Sequence, residues 1–306
     1  MSAVILSDLS ARTRTRLLAT KGIGFYTGDF VVRVKSKLPA IAEGLGLLYG
    51  NCPLATDNDF ADFHVELDRP SGLRNYVRPQ VRFLLDGRAP FLPLPLSQAM
   101  PMFEWGLNWC ITHHANSFLM VHAAVVEKNG NAAMLPAPPG SGKSTLCAAL
   151  VLHGWRLLSD EISLIDVIDG TVAPVPRPIS LKNQSIDIIR AFSSEATLSR
   201  SVNDTMKGTV ALMRPPTDSV KNATVRSTLR WIVFPQFTVG IDSKLTPITK
   251  PRAFMRVADN AFNYSALGAT GFKVLADTID AASAYDFAYS RLDDAIACFD
   301  RLEAAL

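Results

Sequence analysis

The stretch LPAPPGSGKSTLC, from Leu135 to Cys147, limits this chain more than any other, because it demands a strand before it and a helix after it. Gly140, Ser141, Gly142, Lys143, Ser144 and Thr145 form the second half of the pattern G-x-x-x-x-G-K-[ST]. Consecutive backbone N–H groups of such a loop turn inward at the positive end of a helix and make a nest for an anion. That places Lys143 on the β- and γ-phosphates of a bound nucleotide and the Ser144 hydroxyl on Mg²⁺. Pro138 and Pro139 have no N–H and only shape the turn. Ala137 stands where the pattern has its first glycine. That matters only if the position needs φ > 0, and an alanine ending a strand before a proline stays extended.

The segments on either side give the loop its setting. FLMVHAAVVEKNGNAAMLPA reads as two strands joined at Asn129-Gly130, so the strand entering the loop pairs antiparallel with its predecessor. In a common α/β nucleotide-binding fold that neighbour would be reached through a crossover helix. After the loop a helix is predicted from Gly142 to His153, ended by Gly154, then the strand WRLLS carrying Asp160 and Glu161 at its far end. Twelve helical residues rise about 18 Å, and five extended residues return about 17 Å. The two acids therefore come back beside the loop. One carboxylate there suits Mg²⁺ and the other suits the proton of an attacking hydroxyl.

With 306 residues, 48% of them apolar, the chain has enough material for one large domain or two ordinary ones. Its net charge of +3, from 31 basic and 28 acidic residues, gives no argument for a nucleic-acid or membrane partner. Cys52, Cys110, Cys147 and Cys298 are scattered without metal or disulfide spacing, as expected of a reduced, cytoplasmic protein. Before residue 115, FVVRVKSKL, FHVELDR and QVRFLLDG alternate at period two and predict strands, with a helix from Pro39 to Tyr49. A strongly apolar helix follows from Ser97 to His114. The expected organisation is a small α+β region over residues 1–115, ending in that helix, and a catalytic domain over residues 116–306.

The order VHAAVV, Asn-Gly turn, APPGSGKST, GWRLLSDE and ISLID resembles the catalytic domain of HPr kinase/phosphorylase, itself similar in fold to the ATP-dependent phosphoenolpyruvate carboxykinases. RAPFLPLP, EWGLNWCITHHA, PRPISLKN, KGTVALMRPP and AFNYSALGATGF are more similar to an HPr-kinase-related branch, the HPr kinase-related kinase A type. The resemblance implies an α/β phosphate-loop core with a mixed sheet, ATP and Mg²⁺ as cofactors, and self-association. It matches His122 to a histidine on the strand before the loop, and Asp160 and Glu161 to the family's acid pair. It implies that Asp160 is the base for the acceptor hydroxyl. Glu161 replaces the family's second aspartate, and the segment supporting phosphorolysis is absent.

Downstream, Arg177 and Lys182 in VPRPISLKN, and Lys207 beside Gly208 in KGTV, supply further cations. They are expected at the rim where the acceptor enters, with Arg177 acting on the transferred phosphoryl group. Asn263 and Tyr264 are within consideration for a base or ribose. The expected function is ATP-dependent phosphoryl transfer to a seryl or threonyl hydroxyl of a peptide or small protein. A small-molecule kinase and a non-catalytic nucleotide-binding regulatory module are the alternatives.

Overall fold

The computed structural model describes residues 4–72 and 77–305. Strands β1 (Ile23–Thr27), β2 (Phe30–Ser36), β3 (Phe63–Asp68), β4 (Gln80–Leu85) and β5 (Leu94–Pro95) lie side by side in chain order. In β3, Phe63, Val65 and Leu67 are buried while His64 and Glu66 are exposed, the alternation of a strand with one wet face. β2 and β3 run parallel, so their connection must cross over, and helix α2 (Pro39–Leu48) makes that crossing. Helices α1 (Ala11–Ala19) and α2 pack on one another, and α3 (Ala99–His114) packs on α2 and β4. The core they share continues past residue 115 through Phe118, Met120, Ile162, Leu164, Val175 and Leu212.

A second and larger sheet organises the rest. Its strands in chain order are β7 (Ala123–Lys128), β8 (Asn131–Pro136), β9 (Arg156–Ser159), β15 (Thr228–Phe237), β16 (Lys244–Pro247) and β17 (Ser283–Tyr289). In space they run β16-β17-β15-β8-β7-β9. The β17, β15 and β8 neighbours are parallel, and β16, β7 and β9 are antiparallel to theirs. The sheet is mixed and the protein is α/β. Residues 129 and 130 take φ of 52° and 82°, both positive as the tight hairpin between β7 and β8 requires.

Period two also sorts the sheet's two faces. Ala124, Val126, Ala133, Leu135, Trp231 and Val233 point to one side, where helices α4 (Lys143–Leu152) and α9 (Leu292–Ala304) cover them. Ala123, Val125, Ala132, Met134, Ile232 and Phe234 point to the other, under α7 (Lys250–Asp259) and α8 (Tyr264–Ala281). Every one of these twelve side chains is buried, so helices close both faces of this mixed sheet.

Two small sheets flank the large one. β6 (Phe118–Val121), β10 (Ser163–Asp166) and β11 (Val172–Ala173) form the first in the order β11-β10-β6. β12 (Ile179–Lys182), β13 (Val202–Thr205) and β14 (Gly208–Met213) form the second in the order β12-β14-β13. Short helices α5 (Gln184–Phe192) and α6 (Thr217–Lys221) complete the chain. All four cysteines are free and buried. Among the described residues no helix is long and apolar enough to cross a membrane.

Candidate functional site

The glycine-rich loop leaves the sheet at the carboxyl end of β8, the end at which α/β folds characteristically bind ligands. Gly140 and Gly142 take φ of 87° and 90°, and Gly142 caps the N-terminus of α4. Ala137 is not among the positive-φ residues, so the missing first glycine is not needed for backbone conformation. The two neighbouring parallel strands hold the loop from their own carboxyl ends. Phe237 N–H of β15 donates to the Ser141 carbonyl at 3.0 Å, and Tyr289 Oη of β17 donates to the Gly142 carbonyl at 3.1 Å. A Cβ on Gly142 would lie 2.4 Å from that phenol oxygen, whereas one on Gly140 would meet nothing. The side of the loop at Gly140 is thus open, and the side at Gly142 is clamped.

Lys143 begins α4 and is buried. Its Nζ is 3.0 Å from Nε2 of His122. Burial and then the Lys143 charge push His122 down to about 4, so at neutral pH its imidazole is uncharged and accepts from the ammonium. Burial lowers the Lys143 pKa as well, against the opposing pull of Asp160 and Glu161. The sequence reading set His122 on a continuous strand. In the structure the strand breaks there: β6 ends at Val121 and β7 begins at Ala123, in different sheets, and His122 N–H donates to the Asn260 carbonyl at 2.7 Å. The bend turns the imidazole toward the loop lysine.

Asp160 and Glu161 follow β9, as the helix and strand lengths require. Asp160 is 5% exposed, and its Oδ2 accepts from Ser180 N–H at 3.0 Å. Burial first and the charge of Glu161 second raise its pKa, while Lys143, Ser180 N–H and the Ser144 hydroxyl pull the other way. Glu161 is the opposite case. Burial would raise it, but Lys207, Lys182, Lys143 and Arg177 together hold it below the ordinary carboxylate range. Two adjacent carboxyls thus have divergent proton affinities, the pattern by which one site separates an acid–base role from a purely anionic one.

Helix α3 supplies groups that the sequence reading passed over. Asn108 Nδ2 donates to Glu161 Oε2 at 2.6 Å, and its Oδ1 accepts from Arg177 Nη2. Arg177 Nη1 lies 3.9 Å from Glu104 Oε2, and the Tyr49 hydroxyl donates to Glu104 Oε1 at 2.7 Å. Burial pushes Glu104 up to about 7, although Arg177 and Tyr49 pull it down. Glu104 and Asn108 are four residues apart, so they share one face, and from Ala99 to Ile111 they are the only polar side chains of the helix. That spacing is the sequence signal that would have found them.

The three downstream cations are placed differently from one another. Arg177 is only 8% exposed and lies in the wall behind Glu161 rather than at a rim. Lys182 ends β12 and reaches Glu161 Oε1 at 3.7 Å. Lys207 is exposed, in the tight turn between β13 and β14 rather than on a long loop, with Nζ 5.3 Å from the centroid of the Trp105 ring. Asn263 serves the fold: its Oδ1 accepts from Met120 N–H and its Nδ2 donates to the Phe118 carbonyl, stitching it to β6. Thr145 sits beside Ser144 in the first turn of α4, both half-buried.

The side chains of Ser144, Asp160 and Glu161 offer only hard oxygen donors, the set that suits Mg²⁺ bound by one or two carboxylates together with phosphate oxygens. Among the described residues no group of three or more His, Cys, Asp and Glu is arranged to hold a metal ion by itself.

No family model matches this sequence, and no curated protein matches it. Among solved structures, the Hpr(Ser) kinase/phosphatase from Coxiella burnetii overlays on 61% of this chain and 99% of its own, with 11% identity and a TM-score of 0.28. An overlay that loose is a distant likeness in fold, and it carries no functional weight here.

Proposed function

We propose that the chain is an ATP-dependent phosphotransferase that passes the γ-phosphoryl group to a hydroxyl, with a seryl or threonyl side chain of a peptide or small protein as the acceptor. The observation that carries the reading is the meeting of a positive-φ glycine loop at a helix N-terminus with a buried lysine and two acids of opposite pKa displacement. A site that only held a nucleotide would use the lysine and a metal-binding acid, but would have no use for a second acid of raised proton affinity.

The roles follow from the chemistry of each group. Backbone N–H groups of residues 140–145 and the α4 N-terminus receive the phosphates. Lys143, held by His122 in the free protein, has a charge that burial keeps poorly solvated and therefore available to phosphate oxygens. Ser144, Glu161 and Asp160 would hold Mg²⁺, which when bound neutralises phosphate charge. Asp160 takes the acceptor's proton, since burial raises its proton affinity toward that of a working base. Lys182 and Lys207 face the charge that develops between donor and acceptor, and Arg177 holds Glu161 in place through Asn108. Met206, 93% exposed at the hairpin tip next to Lys207, would offer an apolar side chain to a polypeptide acceptor. We further propose that residues 1–115 and 116–306 act as one catalytic unit, because α3 contributes Asn108 to the acid pair.

The test is transfer of labelled γ-phosphoryl from ATP and Mg²⁺ to polypeptides of the source cell, comparing wild type with Asp160→Asn. The amide keeps the shape but cannot take a proton, so transfer should fall by about 10²–10⁴-fold while ATP binding is kept. Transfer within a few-fold of wild type would remove Asp160 from the base role.

A further inference from the structure

Behind the acid pair is a cavity of about 20 Å³, whose walls include Glu104, Asn108, Asp160, Arg177 and Ser180. That is room for one water molecule. Three of these residues each carry a buried polar atom with no hydrogen-bond partner: Asp160 Oδ1, Ser180 Oγ and Arg177 Nη1. Their residues are 5%, 7% and 8% exposed, so bulk solvent does not satisfy them. Of the other polar walls, Glu104 is engaged at Oε1 by Tyr49, its Oε2 standing 3.9 Å from Arg177 Nη1, beyond hydrogen-bond reach, and Asn108 is engaged by both Arg177 and Glu161. Three orphaned groups in one protein interior are destabilising, and their residues sharing a single cavity points to a single bridging partner.

Charge decides what the partner is. An anion would face Asp160 and Glu161, and a cation would face the Arg177 guanidinium, so the occupant should be neutral. It must also donate to a carboxylate oxygen and accept from a guanidinium. We infer that this cavity is a built site for one ordered water, which accepts from Arg177 Nη1, donates to Asp160 Oδ1 and exchanges a hydrogen bond with Ser180 Oγ. Three hydrogen bonds are the usual complement of a buried water. With Ser180 N–H on Oδ2, the water fixes the plane of the Asp160 carboxylate from both oxygens. Each carboxylate oxygen accepts two bonds, so Oδ1 keeps a free lone pair. The orientation of Asp160 then depends on Arg177, which α3 holds through Asn108, and so on residues before position 115. None of this requires phosphoryl transfer.

The experiment is a high-resolution crystal structure of the wild-type protein, with urea unfolding of Ser180→Ala and Ser180→Val beside it. The expected density is one peak at about 2.7–3.2 Å from all three atoms. Ser180→Ala keeps room for the water and loses one bond, whereas the larger Val occupies its space and strands both Asp160 and Arg177. Ser180→Val should therefore lower the urea midpoint more than Ser180→Ala. A dry cavity, or a peak at about 2.0–2.1 Å from oxygen only, as a magnesium ion would show, overturns the inference. So does an equal loss in the two variants.

Discussion

Glu104 gives the sharpest test of how the first 115 residues are joined to the acid pair. It is buried, and its carboxyl is displaced from an ordinary 4.5 to about 7, chiefly by burial. Moving a carboxyl that far is worth about 3 kcal/mol at 1.36 kcal/mol per pH unit. The sign follows from proton binding. The folded pKa is raised, so between about 4.5 and about 7 the folded chain holds the proton and the unfolded chain has lost it. Glu104 therefore contributes full stability below the unfolded value, and that contribution is lost as pH rises through about 7. Glu104→Gln removes the titration while retaining a carbonyl to accept from Tyr49. Urea unfolding of both proteins at pH 5 and pH 8 isolates the effect, because other groups titrate alike in each. The wild type should lose about 2–3 kcal/mol more than the variant over that interval. Parallel losses would mean that burial does not raise the Glu104 carboxyl as described, its cost being offset in full by Arg177 and Tyr49.

Further outcomes follow from the same contacts. Asn108→Ala leaves Arg177 Nη2 and Glu161 Oε2 without partners, so stability should fall by about 1.5–3 kcal/mol per lost charged hydrogen bond, and the Mg²⁺ needed for half-maximal transfer should rise. A magnesium titration beside urea unfolding reads both, and an unchanged Mg²⁺ requirement would show that Asn108 does not position Glu161. Gly142→Ala meets both a φ of 90° and the Tyr289 hydroxyl, while Gly140→Ala meets only a φ of 87°. Backbone strain of about 1–3 kcal/mol applies to both, so the first should be the more destabilising in thermal unfolding, and the reverse order would refute the clamp at Tyr289.

Much of this arrangement was legible in local sequence, because it is set by local geometry. The Asn129-Gly130 hairpin, the Gly154 stop and the similar rises of α4 and β9, about 15 Å and about 13 Å, bring Asp160 and Glu161 to the loop with no tertiary information. The strand positions 30–36, 63–68 and 80–85 follow from alternation alone. What escaped depends on partners distant in the chain. The spacing of Glu104 and Asn108 marks a shared face of a mostly apolar helix, but their purpose appears only once Arg177 is brought to them from 69 residues beyond Asn108. The break at His122 has no glycine or proline to signal it, since the Asn260 carbonyl stabilises it from another element. Arg177 reads as a rim cation between prolines, and its place in the interior appears only with Glu104 and Asn108 of α3, its partners far away in the chain. The short edge strand β16 lacks an apolar alternation and was not foreseen.

The central claim is that residues 140–145 receive the phosphates of ATP with Lys143 as their charge partner. Calorimetry of ATP with Mg²⁺ against wild type and Lys143→Ala tests it most directly. Saturable binding by the wild type, weakened roughly tenfold or more in the variant, is the expected result for loss of a charge-assisted contact to phosphate. No binding by the wild type, or equal affinity in the two proteins, would contradict it.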